Sequence, residues 1–322
     1  MMQIFESLVG NLMVPTILFF VLGLLAAVVR SDLSIPEGAA KFMSLYLLLA
    51  IGFKGGHSLA ENGLSPEVFT ALGAGLVLSF LIPFIAYALL RGMTRLNALN
   101  AAAVAGHYGS ISIVTFVAAS SLLELTGIAS DGYMVAVAAT MEVPAILSAL
   151  WIAHRFGREG VAEHMPMREL FANGSIVLLT GAFVIGVLTQ DRGMEMIAPF
   201  VVTPFTGILC LFLLDMGLSA GRSLLRNRHL LSTGLFAFGI MMPILGAVLA
   251  WGMGAMIGLQ TGSLFLLMVL AASASYIAVP AAMKIALPQA EAGIYLTLSL
   301  GVTFPFNITV GLPLYLWLAG LA

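Results

Sequence analysis

Gly106-His107-Tyr108-Gly109-Ser110-Ile111-Ser112-Ile113-Val114-Thr115 lies within an apolar stretch covering residues 97–124. Two glycines and two serines interrupt a segment otherwise suited to a membrane helix. Serines two apart fall on different faces of a helix but on one side of an extended strand. The glycines lower the cost of leaving helical geometry. Unwound backbone inside a bilayer must be buried in protein or line a cavity, because lipid offers its N–H and C=O groups no partner. The stretch therefore reads as a broken transmembrane helix. A second one has the same Ser-x-Ser centre: Ala271-Ala272-Ser273-Ala274-Ser275-Tyr276-Ile277-Ala278-Val279-Pro280, with Pro280 suited to a helix start. Small residues at both places are equally what close helix packing in a membrane uses, so packing is the competing reading.

The composition supports a membrane setting. Charged residues make up 9% of the 322 and hydrophobic ones 61%, against about 25% charged in an average soluble domain. With 34 glycines and 18 methionines the apolar excess is not low complexity. A soluble enzyme, a disordered chain and a collagen-like repeat are excluded. The formal net charge is −2 and the 13 basic residues form no run, which argues against nucleic acid as a partner. Cys210 is the single cysteine, so neither an intramolecular disulfide nor a thiolate metal cage is available.

A bilayer core needs roughly 20 apolar residues per helix. Segments of this kind recur at 12–30, 36–60, 67–91, 97–124, 133–154, 168–190, 198–221, 230–258, 262–287 and 290–321. The runs are long and lack the alternation of a barrel wall, so the expected fold is all-α with ten transmembrane helices. The first segment is not expected to be a cleaved signal, since Glu6 stands where a basic region belongs. Arg30, Arg91, Arg95, Arg155, Arg158, Arg168, Arg222, Arg226 and Arg228 follow odd-numbered segments, while Arg192 is the one arginine after an even one. This asymmetry predicts cytoplasmic odd loops and both termini outside, in a multi-pass protein of the cell membrane.

The halves repeat. Gly52-Phe53-Lys54-Gly55-Gly56-His57-Ser58-Leu59 aligns with Gly217-Leu218-Ser219-Ala220-Gly221-Arg222-Ser223-Leu224, and the pairs Ser110/Ser273 and Thr140/Thr303 share one offset. Residues 1–155 form a first five-helix repeat, 156–167 a cytoplasmic linker, and 168–322 the second repeat. An odd number of spans per half inverts the second copy, with helices 4 and 9 broken in symmetric positions. In secondary transporters with inverted repeats, the substrate site lies where broken helices meet near the midplane. Half-helix N-termini with hydroxyls beside them suit a small anion.

Few ionisable residues fall within the spans. Glu142, in Thr140-Met141-Glu142-Val143-Pro144-Ala145, and Asp215 are candidates because a carboxylate at that depth is costly unless paired or wet. Glu142 reads as a sodium ligand or proton acceptor. Asp215 reads either so or as a structural partner of Lys54. Thr303 and Asn307 bring neutral oxygens to the region related to Glu142 by the repeat, and hard cations prefer oxygen. The five histidines (His57, His107, His154, His164, His229) show no metal-ligand spacing, and His107 reads as a packing residue. No phosphate loop is present, so ATP is not the expected energy source.

Gly109-Ser110-Ile111-Ser112, Met141-Glu142-Val143-Pro144-Ala145, Ala271-Ala272-Ser273-Ala274-Ser275 and Ile51-Gly52-Phe53-Lys54-Gly55-Gly56 together resemble the sodium-dependent bicarbonate transporter family. The resemblance implies two inverted five-helix repeats, a core and a gate domain, an elevator-like cycle, a homotrimer, and sodium-coupled bicarbonate uptake. It implies a substrate site at Gly109, Ser110, Ser112, Ser273, Ala274 and Ser275. The cation site expected beside it comprises Thr115, Glu142, Thr303 and Asn307, with sodium as coupling ion and no further cofactor. A small PII-like regulator binds members that often carry a longer insert between the halves. Members also often have an acidic residue where Tyr276 stands, and small polar residues in place of Ile113 and Val114. These departures leave open a proton-coupled cycle or another small monocarboxylate. The rival class, a polytopic membrane enzyme, needs a nucleophile–base pair, paired aspartates or a metal cluster, and the sequence offers none.

Overall fold

The computed structural model describes residues 14–157 and 174–321, apart from 64 and 277. The described residues are helical throughout, without strands: α1 (Pro15–Val28), α2 (Glu37–Asn62), α3 (Pro66–Met93), α4 (Ala98–Gly109), α5 (Ile113–Thr126), α6 (Met134–Thr140), α7 (Glu142–Phe156), α8 (Gly174–Val201), α9 (Phe205–Asn227), α10 (Thr233–Met256), α11 (Thr261–Ala272), α12 (Ala278–Ala286) and α13 (Ala292–Ala319). Among them, seven helical stretches are long and apolar enough to cross a membrane, and α1 and α11 are shorter apolar helices. Leu22, Leu25, Phe69, Phe80, Val184 and Leu188 are exposed, as an apolar perimeter facing lipid requires. This is an all-helical polytopic membrane protein. Most of the linker expected at 156–167, and the start of the segment expected at 168, lie outside the described residues.

The helices fall into two packed groups. In one, α1 lies along α9 and α2 along α8. Glycines set both contacts. A Cβ on Gly217 would stand 2.1 Å from the Phe20 carbonyl oxygen, and one on Gly23 2.1 Å from that of Leu214. Across the other pair, a Cβ on Gly56 would stand 1.9 Å from the Phe183 oxygen, and one on Gly186 2.3 Å from that of Phe53. Backbones approach this closely only where no side chain intervenes, the usual membrane use of small residues. The glycines at 52, 56, 217 and 221 are therefore contact residues of these two helix pairs.

In the other group, α4 and α7 pack on α3, α11 packs on α10, and α3 meets α10. Both broken stretches belong here. The half-helices α4 and α11 have 12 residues each. They end in matching geometry, Ser110 at φ −91°, ψ 160° and Ser273 at φ −88°, ψ 165°. Asn97 caps α4 by accepting from the Asn100 N–H at 2.8 Å. Gly109 is required at the end of α4, because a Cβ there would meet the Pro83 ring of α3 at 2.4 Å.

Several boundaries differ from the sequence expectations, and prolines explain most of them. The segment expected at 133–154 runs as one stretch, Met134–Phe156, with a loosened turn at Met141 between α6 and α7. Pro144 lacks the N–H that would bond one turn back, which loosens this turn. Ser79 of α3 donates to the Met141 carbonyl at 2.5 Å. The segment expected to end at 190 does so: Gln190, at φ 49° and ψ −144°, divides α8 there, and a second helical piece runs on to Val201. The next segment therefore starts at Phe205 rather than 198. In α13 the turns widen to π geometry over Thr297–Thr303 and Asn307–Gly311, just before Pro305 and Pro313. Wide turns absorb the missing proline donors without ending the helix. Pro280 falls in the first turn of α12, which begins at Ala278.

Candidate functional site

The two breaks cross in the interior. Between α4 and α5, residues 110–112 run extended, and between α11 and α12 the chain leaves the helix at Ser273. The breaks bond to each other: the Ser112 N–H donates to Ser273 Oγ at 2.9 Å, and the Ser275 N–H to the His107 carbonyl at 2.7 Å. Unwound backbone thus finds its partners in its counterpart. Ser273 Oγ donates in turn to the Leu270 carbonyl at 2.8 Å. Ser110, Ser112, Ala274 and Ser275 are buried with it, and Gly109 closes α4 beside them.

Two helices start at this crossing. Ser112 is the N-cap of α5, where its Oγ accepts from the Thr115 N–H at 3.3 Å and from Thr115 Oγ1 at 2.9 Å. Ser275 Oγ accepts from the Val279 N–H of α12 at 3.4 Å. The first turn of any helix keeps N–H groups without intrahelical acceptors, and its dipole end is positive. Two such ends beside four hydroxyl-bearing side chains form a donor-rich interior for an anion without an arginine.

Glu142 joins the crossing from α7. It is buried, and Ser110 Oγ donates to its Oε2 at 3.1 Å. The turn at Met141 makes Glu142 the first residue of α7. Thr115 reaches the same region through Ser112. Thr303 and Asn307 approach from α13. Thr303 Oγ1 donates to the Gly239 carbonyl at 2.7 Å and meets the Tyr108 hydroxyl at 2.6 Å. Asn307 donates to the Ala272 carbonyl at 2.8 Å and accepts from the Tyr315 hydroxyl at 2.9 Å. Both therefore pin α13 to the ends of the half-helices, and each side-chain oxygen retains a lone pair.

The expected substrate residues thus come together, with Glu142 and Thr115 bonded to two of them. A model of the Na+-dependent bicarbonate transporter superfamily matches residues 15–320. The chain belongs to that superfamily. No curated protein matches it in sequence. Tyr276, at a position where the superfamily resemblance leads one to expect an acid, packs edge-on against Phe304 at 5.2 Å.

Other candidates are placed differently. The pairing of Asp215 with Lys54 does not form: the Lys54 ammonium bonds the Glu124 carboxylate at the far end of α5. Glu124 was within reach of no sequence argument, because its partner is on another helix. His57 lies between Asp191, at 2.9 Å from Nε2, and Glu61, at 3.6 Å from Nδ1. This cluster gathers three metal-capable groups that sequence spacing did not reveal. His107 is buried, stacks on Tyr295 at 4.4 Å and bonds the Ala103 carbonyl through Nδ1 at 2.7 Å, which suits the packing role expected of it. Tyr108 and Tyr315 were missed as site-bracing residues. Their only sequence signal is a hydroxyl deep in an apolar span.

Proposed function

We propose that the chain is a secondary active transporter that takes up bicarbonate with sodium by alternating access. The observation that carries this reading is the crossing of the two breaks through Ser112, Ser273, Ser275 and His107, with Glu142 bonded to Ser110. A compact anion suits short hydroxyls and helix ends, and superfamily membership points to bicarbonate and sodium. In this reading Ser110, Ser112, Ser273 and Ser275, with backbone N–H groups near Gly109 and Ala274, hold the anion. Glu142 and Thr115, aided by the oxygens of Thr303 and Asn307, hold sodium. The ten helical segments form two inverted repeats, and the matched lengths and end geometry of α4 and α11 support that symmetry. The group α1, α2, α8 and α9 is the gate, the remainder is the moving core, and the protein works as a homotrimer in the cell membrane. In proteoliposomes, labelled bicarbonate should accumulate under an inward sodium gradient and not when potassium replaces sodium. Equal uptake in both salts would remove sodium coupling.

A proton-coupled variant, carrying bicarbonate or another small monocarboxylate, is favoured by one observation. Tyr276 brings an aromatic ring onto Phe304 where a carboxylate would bring a second cation ligand. Uptake driven by a pH gradient in sodium-free medium would select it.

The topology is testable on its own. Arginine placement puts both termini outside and Gly157 in the cytoplasm. With Cys210 replaced, cysteines at Ser7 and Gly157 should label from outside and from inside, respectively, with an impermeant thiol reagent. External labelling at 157 in intact cells contradicts this orientation.

A further inference from the structure

A cavity of about 260 Å³ lies between α2 and α5, and its wall reaches Phe116, next to Thr115, and Leu266 of α11. It therefore extends from the far end of α5 toward the crossing of the broken helices. Among the described residues that line it, Lys54 is the one cation, accompanied by Glu124 and Asp131. The Lys54 ammonium bonds Glu124 and also lies over the Phe205 ring at 4.9 Å. These two contacts are unequal. Phe205 is buried at the start of α9 and offers a fixed face to the cation. Glu124 is 53% exposed against 24% for Lys54, and it sits in the last turn of α5, where the negative helix end disfavours a carboxylate. The ammonium has a second, buried contact, and the carboxylate is the more exposed partner of the pair.

We propose that Lys54 is an anion subsite on the path to the crossing, with the Glu124 carboxylate as an exchangeable counter-ion. Its ligand is a small planar monoanion, the shape and charge that Glu124 itself presents. The incoming anion takes over the N–H···O bonds of the ammonium while Glu124 turns to solvent, and Phe205 keeps the cation in place during the exchange. The cavity has room for such an anion with several waters, at about 30 Å³ for each water. In giving the subsite a role in uptake, this inference rests on the transport reading above.

Two measurements test it, and only the second needs transport. In purified Glu124→Gln protein, acylation of Lys54 by a water-soluble amine reagent, read by peptide mass spectrometry, should be several-fold slower in sodium formate than in sodium gluconate of equal ionic strength. Glu124→Ser serves the same purpose if the glutamine variant does not fold. Equal rates in the two salts overturn the subsite. In proteoliposomes, Lys54→Gln should raise the KM for bicarbonate about tenfold, the scale of one charge-assisted hydrogen bond. Glu124→Gln should lower it several-fold by removing the competitor, and the double variant should match Lys54→Gln. An unchanged KM in all three, with wild-type uptake intact, overturns the role in uptake and leaves a structural ion pair. Formate protection without any wild-type bicarbonate uptake keeps the subsite and refutes the transport reading instead.

Discussion

Glu142→Gln should raise the sodium concentration for half-maximal uptake by about tenfold or more, with the protein still folded. The carboxylate is buried, and a buried charge at bilayer depth costs several kcal/mol unless it is compensated. Its bonded partner is the Ser110 hydroxyl at 3.1 Å. A hydroxyl supplies no full positive charge, and no lysine or arginine is bonded to it among the described residues. A sodium ion does supply one. Glutamine keeps the size and the acceptor for Ser110 but removes the charge, so ion affinity should fall while packing persists. The sodium dependence of initial uptake rates in proteoliposomes measures it. An unchanged dependence leaves Glu142 with packing alone.

Ser110→Ala and Ser273→Ala should each weaken bicarbonate affinity by about ten- to a hundredfold, since a hydrogen bond to a charged group is worth roughly 1.5–3 kcal/mol. Backbone donors survive both substitutions, so the variants should be impaired rather than dead. Their side effects should differ. Ser273 Oγ accepts from the Ser112 N–H, and its loss leaves that buried donor unpaired at a cost of about 1–3 kcal/mol. Ser273→Ala should therefore also lower thermal stability. Ser110 Oγ is a donor to Glu142. Ser110→Ala should disturb sodium affinity instead. If serine serves only close packing, alanine is tolerated at both positions. Uptake affinity, sodium dependence and melting temperature, measured on the same two variants, separate these outcomes.

Much of the architecture could be read from residue order, because membrane helices advertise themselves by length and apolarity. The breaks at Ser110–Ser112 and Ser273–Ser275 were legible for a related reason: paired small polar residues in a long apolar span have few explanations, and the same offset links them. The glycines at 52, 56, 217 and 221 stood out by their common spacing, but nothing marked them as contacts. The residues they meet, such as Leu179, Phe183, Phe20 and Leu24, lie on other helices, and nothing local names them. The same limit hid the Lys54–Glu124 pair, in place of which sequence offered Asp215 as one possible partner of Lys54. The span expected at 133–154 holds as Met134–Phe156, and the loosened turn at Met141, before Pro144, is what residue order did not show in it. The end of the sixth segment at 190 was legible in the polar patch Gln190-Asp191-Arg192, where non-helical backbone at Gln190 divides α8. The helical piece from there to Val201 was not, because it is short and partly polar.

The central claim is that the crossing of the two broken helices binds the anion, and that sodium binds with it. Bicarbonate binding to the purified protein in sodium or potassium tests this most directly, on the wild type and on Ser110→Ala and Ser273→Ala. The account predicts binding by the wild type in sodium, much weaker binding in potassium, and an affinity at least about tenfold lower for each serine variant in sodium. Equal affinity in all three proteins, or in both salts, would contradict it.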